Sequence, residues 1–117
     1  TSVPIMTTGG IRRLSIAQQV LSNGVELVGL ATALAMTPDL PTRWQADPAF
    51  VAPSPAIAWR NKTLQALATM AMIKRNLQRI GQGKAPLASL SGWWSLLCDQ
   101  RRKGRLTKRY VRYINGQ

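Results

Sequence analysis

A short apolar run closes on a glycine pair, Ile5-Met6-Thr7-Thr8-Gly9-Gly10, and a second run, Glu26-Leu27-Val28-Gly29-Leu30, follows with one helix-length segment between them. No other feature restricts the fold as strongly. Apolar runs this short, bounded by glycine and polar residues, fit strands better than helices. Two strands separated by a helix-length crossover pair in parallel. The first strand is expected over Pro4 to Thr8, with proline at the position where a strand tolerates it. The second is expected over Glu26 to Leu30, as a near-continuous apolar run covered on both faces. Between them, Ile11, Leu14, Ile16, Val20 and Leu21 supply one face of a helix predicted over Ser15 to Leu21, which Asn23-Gly24 stops. Glycine at a strand's end permits positive φ and lets backbone N–H groups approach an anion, and a following helix start favours negative charge there.

After this unit the chain turns to small apolar residues, Ala31 to Met36. Pro38-Asp39-Leu40-Pro41 then starts a short helix through Trp44. Pro48, Pro53 and Pro55 mark an extended linker. Asn61 is placed to cap a helix running to Ile80, with Leu64, Leu67, Ala71, Leu77 and Ile80 on its apolar face and Gly81 and Gly83 beyond it. Two further helical stretches are predicted, Leu90 to Asp99 and Arg105 to Ile114, with Gly104 as an interruption between them. Three regions result: residues 1–46, a proline-rich linker at 47–60, and a helical extension at 61–117.

Charge separates these regions. Up to Trp59 the bases Arg12, Arg13 and Arg43 balance the acids Glu26, Asp39 and Asp47. From Arg60 onward Asp99 is the sole acid, so the whole formal charge of +12 resides in the second half. The single cysteine, Cys98, permits no internal disulfide and reads as a small apolar residue among Trp93, Trp94, Leu96 and Leu97. With no histidine, the chain lacks the commonest general base and metal ligand, and no Ser-His or Cys-His nucleophile pair can form. No metal site is expected. The start shows no basic region ahead of an apolar core, and no run reaches the ~18 apolar residues of a membrane span, so residence in the cytoplasm is expected.

Three segments carry a family resemblance: Val3-Pro4-Ile5-Met6-Thr7-Thr8-Gly9-Gly10-Ile11-Arg12, then Leu27-Val28-Gly29-Leu30-Ala31-Thr32-Ala33-Leu34, then Pro38-Asp39-Leu40-Pro41. Together they resemble the C-terminal end of the old yellow enzyme family, the FMN-dependent NADH:flavin oxidoreductases and ene-reductases. The resemblance implies an α/β fold, with the two strands as the seventh and eighth of a (β/α)8 TIM barrel. A closed barrel takes roughly 200 residues or more, so the resemblance implies a barrel fragment, the tail of a larger protein with Thr1 already at the lip of a strand. It also implies that the FMN phosphate rests on backbone N–H groups of Gly9 and Gly10 after the first strand and of Ala31 and Thr32 after the second. The family has Gly-Arg at the last position, where this chain has Ala31-Thr32. Thr32 offers a hydroxyl and an N–H but no charge, which makes Arg12 and Arg13 the candidates to supply it. The family's substrate-anchoring His/His or His/Asn pair and its proton-donating tyrosine lie on earlier strands, so no catalytic residue is assigned here. NAD(P)H and a small-molecule acceptor would be partners of the parent enzyme.

The basic half permits a different, non-enzymatic reading. Arg105, Lys108, Arg109 and Arg112 recur at helical spacing, with Leu106, Tyr110 and Tyr113 beside them and Trp93-Trp94 upstream. Such a helix can simply pack with its charges solvated. It can also bind an anionic membrane surface, or contact nucleic-acid phosphates with its aromatics stacking. Nucleic acid is the weaker expectation, since the chain contains no recognition motif.

Overall fold

The computed structural model describes residues 3–87 and 89–116. Thr1, placed at the strand lip by the sequence, lies outside the described residues. Strand β1 (Met6–Thr8) and strand β2 (Leu27–Gly29) form a two-stranded parallel sheet, with Met6 opposite Leu27, Thr7 opposite Val28 and Thr8 opposite Gly29. Two constraints fix that register. At the entry, the Ile5 N–H donates to Glu26 Oε2 at 2.7 Å while its carbonyl accepts from the Glu26 and Leu27 N–H groups at 3.1 and 3.2 Å. At the exit, a Cβ on Gly29 would collide with Thr8 Cγ2, so a side chain there would force that threonine to move. The crossover is helix α1 (Leu14–Ser22), closed at Asn23 as the Asn-Gly pair predicts.

The barrel fragment implied by the resemblance is not what the described residues form. Each strand has three residues, whereas five helices make up most of the chain. Parallel barrel strands are buried on both faces, yet here Met6 is 59% and Leu27 54% exposed. The reason is packing. Helices α2 (Thr32–Met36), α3 (Leu40–Ala46) and α4 (Lys62–Ile80) collect most of the buried apolar residues, with Ile11, Ala17 and Ala52 the others, and none lies on either strand. The result is a helix-rich chain carrying one minimal sheet.

One core cluster joins Ala33, Leu40, Trp44 and Ala52, with Leu14, Leu30, Leu34 and Phe50 packed against it. Pro41 sits in the first turn of α3, where a missing N–H costs nothing. The Trp44 indole N–H donates to the Phe50 carbonyl at 3.0 Å, which folds the proline-rich segment back onto α3. The segment then pairs with the start of α1. The Ala52 N–H donates to the Arg12 carbonyl at 2.9 Å, and Val51 bridges Arg13 antiparallel.

Helix α4 starts as the sequence predicts: the Asn61 side chain accepts from the Leu64 N–H at 3.0 Å. Its buried face differs from the predicted one. Ala68, Ala71, Met72 and Asn76 are buried, while Leu64, Leu67 and Leu77 are exposed. The residues buried on α4 are small or polar, Met72 apart, and the helix packs against both α5 and α2, where Asn76 meets Met36. The predicted break at Gly104 is also absent. Helix α5 runs unbroken from Gly92 to Asn115, since one glycine costs only about 1 kcal/mol in a long helix. The Ser91 hydroxyl caps α5, accepting from the Trp94 N–H at 3.3 Å.

Helices α4 and α5 pack together. Asp99 binds Lys103 at 2.9 Å and Lys74 of α4 at 3.8 Å. Trp93 stacks on Trp59 with ring centroids 4.5 Å apart. Ser95 is buried on α5, and its hydroxyl has no hydrogen-bond partner among the described residues. A buried unsatisfied hydroxyl costs about 1–3 kcal/mol, and alanine is the better helix former. Ser95→Ala is therefore expected to stabilise the fold by about 1 kcal/mol, read as a higher urea midpoint at unchanged slope. A lower midpoint would mean that the hydroxyl is satisfied after all. Among the described residues no helix is long and apolar enough to cross a membrane.

Candidate functional site

At the C-terminal ends of β1 and β2 the chain leaves a cleft of about 250 Å³. Its lining brings together all four residues predicted to hold a phosphate: Gly9 and Gly10 from one loop, Ala31 and Thr32 from the other. Both strands therefore deliver their following loops to one place, as a parallel pair must.

Backbone conformation explains the glycine pair. Gly9 has φ +123° and Gly10 φ +65°, values that L side chains rarely adopt. A Cβ on either would meet nothing within 4 Å. The requirement is therefore conformational rather than steric. These φ values turn the chain out of β1, and the pair carries no side chain that would shield its N–H groups. The N–H groups of Gly10, Ala31 and Thr32 take no part in the turn and loop hydrogen bonds of the described residues, whereas the parallel register sets the Gly9 N–H beside the Gly29 carbonyl. A glycine turn at positive φ beside a helix start offers the backbone chemistry of an anion nest.

Charge at the cleft comes from Arg12. It lines the same cavity as the glycines and also a neighbouring depression with Gly10, Arg13 and Ile16, whereas Arg13 lines only the latter. Of the two candidates to replace the family's arginine, the fold thus selects Arg12. Its backbone is held by Ala52, through the hydrogen bond that docks the proline-rich segment. No acidic residue lines the cleft.

The same docking adds a residue the sequence did not mark. Ser54 reaches the cleft from residues 47–60 and contributes a hydroxyl opposite the glycine loop. Nothing local in the sequence distinguishes Ser54 from any serine in a proline-rich linker. Its place depends on the Trp44–Phe50 and Arg12–Ala52 hydrogen bonds, which are tertiary. Ala33 lines the cleft and belongs to the core cluster as well, so the wall of the site is also the wall of the core.

The predicted basic stripe lies away from this cleft. Arg105, Lys108, Arg109 and Arg112 are all on the exposed second half of α5. Cys98 is half-buried and unpaired on the same helix. Compared with known proteins, the chain matches no family model, no curated protein and no solved structure.

Proposed function

We propose that the cleft at the ends of β1 and β2 binds a phosphate monoester, the phosphate end of FMN, and that the chain contributes this anchor to an NAD(P)H-dependent flavin oxidoreductase of the cytoplasm. The observation that carries the reading is that the glycine turn after β1, the Ala31-Thr32 helix start after β2 and Arg12 line one cavity. Size supports a phosphate rather than a whole cofactor. A site that encloses a drug-sized ligand has roughly 300–1,000 Å³, and this cleft has about 250 Å³. When bound, the flavin would supply hydride transfer from NAD(P)H to an acceptor. The residues of this chain would position it: the N–H groups fix the phosphate oxygens, Arg12 neutralises their charge, and the Thr32 and Ser54 hydroxyls complete the shell. None of them is placed to move a proton or hydride.

The test is a titration of the protein with inorganic phosphate, FMN and riboflavin, followed by backbone amide NMR shifts. Phosphate and FMN should move the Gly9, Gly10 and Thr32 amide resonances, and riboflavin, lacking the phosphate, should not. Gly10→Val forces a β-branched residue into positive φ, at about 1–2 kcal/mol or more, and should reduce affinity at least roughly tenfold. Arg12→Gln removes a charge-assisted contact and should reduce it by roughly 10- to 100-fold. Equal responses to FMN and riboflavin, or wild-type affinity in both variants, would remove the phosphate assignment.

A further inference from the structure

Helix α5 consists of two parts with different surroundings. Its first turns are fixed by the Trp59–Trp93 stack, the buried Ser95 and the Asp99 ion pairs. From residue 100 to residue 116 every position is exposed. That length of helix, roughly 24 Å at 1.5 Å per residue, is marginal alone in water, and here it projects beyond the packed part of the hairpin.

At 3.6 residues per turn the exposed part sorts into two arcs. Leu106, Tyr110, Val111 and Ile114 share one side and are 51%, 64%, 47% and 51% exposed, with Lys103 at the inner end of that side, turned to its ion pair with Asp99. Arg101, Arg105, Lys108, Arg109 and Arg112 occupy the other side. Residues 100–116 contain seven Lys or Arg and no Asp or Glu. We propose that this part of α5 lies flat on an anionic membrane surface, with the apolar arc at the depth of the acyl chains and the cations among the lipid phosphates. The inference is independent of the phosphate cleft.

Segregation of the arcs decides among occupants. A nucleic-acid phosphate rail takes the cations but offers nothing to Leu106, Val111 and Ile114. A bilayer interface takes both arcs and favours tyrosine at its boundary. A second copy of the chain fits poorly, because it brings the same cations. Of its four acids, Asp39 is paired with Arg43, Asp99 with Lys74 and Lys103, Glu26 accepts from the Ile5 N–H, and Asp47 accepts from the Ala49 N–H. The cytoplasmic leaflet carries the negative potential such a helix requires.

The experiment is flotation of the whole protein with vesicles of pure phosphatidylcholine and with vesicles of phosphatidylcholine and phosphatidylglycerol in equal parts. Binding is expected on the anionic vesicles at least about tenfold above the neutral ones, declining with salt. Changing Arg105, Lys108, Arg109 and Arg112 together to Gln should weaken it on the order of 100-fold or more. Changing Leu106 and Ile114 together to Ser keeps every charge and should weaken it on the order of tenfold or more. All six positions are exposed, so circular dichroism and the thermal midpoint should not change in either variant. Gly10→Val should float like the wild type, which separates this inference from the cleft. Equal binding to neutral vesicles would overturn the proposal. So would an unaffected Leu106/Ile114 variant, or capture by DNA that the Ser variant retains in full while vesicles are ignored.

Discussion

Trp44→Ala is expected to destabilise the protein by about 4 kcal/mol. Two terms contribute. The indole is 6% exposed at the centre of the cluster with Ala33, Leu40 and Ala52, and truncation of a buried tryptophan costs roughly 3–5 kcal/mol through lost transfer energy and the cavity left behind. The Phe50 carbonyl also loses its 3.0 Å donor. Against a total stability of about 5–15 kcal/mol for a domain, that is a large fraction. The thermal midpoint should fall by more than about 10 °C. Trp44→Phe separates the terms. It keeps most of the apolar volume and removes only the N–H, and is expected to cost about 1–2 kcal/mol. If Phe is as damaging as Ala, the hydrogen bond and not the packing holds the segment. The effect should reach the cleft as well. Phe50 through Ser54 is docked by Trp44 and by the Ala52–Arg12 hydrogen bond, so Trp44→Ala is expected to lower phosphate affinity without touching a cleft residue.

Asn76→Ala is expected to cost about 3 kcal/mol, and Asn76→Asp at least as much, despite its equal size. Asn76 is fully buried on α4. Its Nδ2 donates to the Leu87 carbonyl and to Met36 Sδ, both at 3.2 Å, while its Oδ1 accepts from the Leu87 N–H at 3.0 Å. One side chain thus satisfies both backbone groups of Leu87 and links α4 to α2. Alanine leaves those groups unpaired, at about 1–3 kcal/mol each. Aspartate still accepts from the N–H but turns a carboxylate oxygen towards the Leu87 carbonyl in a buried place, where an uncompensated charge is costly. Urea titration gives the magnitudes. Limited proteolysis gives the location: cleavage within residues 81–91 should accelerate, because Arg79 Nε on the Ala85 carbonyl would remain as the main side-chain tether of that turn. An Asp variant as stable as the wild type would show that Asn76 acts only by filling volume.

Which features were legible in the sequence follows from the range over which each is determined. The βαβ order, the closure of α1 at Asn23, the Asn61 cap and the glycine turn after β1 are set by a few neighbouring residues. Each is a local solution to a backbone requirement, namely a satisfied N–H or a permitted φ. The four cleft residues were legible for the same reason, since parallel strands carry their following loops to the same end of a sheet. The architecture around them was not. The resemblance implied a barrel, whereas two strands of three residues depend on whatever covers them, and here the buried apolar residues belong to the helices and to the segment around Ala52. The buried face of α4 followed alanine rather than leucine because it is set by where α5 and α2 pack, which periodicity within α4 cannot reveal. Gly104 failed as a breaker because propensity is a small term in a long helix.

By itself, then, the sequence determined the local elements, the glycine turn and the concentration of positive charge in the second half. Only the tertiary structure decided that Arg12 rather than Arg13 faces the cleft and that Ser54 joins it. It also decided that Asn76 clamps Leu87 and that the basic helix extends past its packing partner. Backbone geometry and charge are properties of neighbouring residues, whereas a docked segment or an exposed face exists only once distant residues have met.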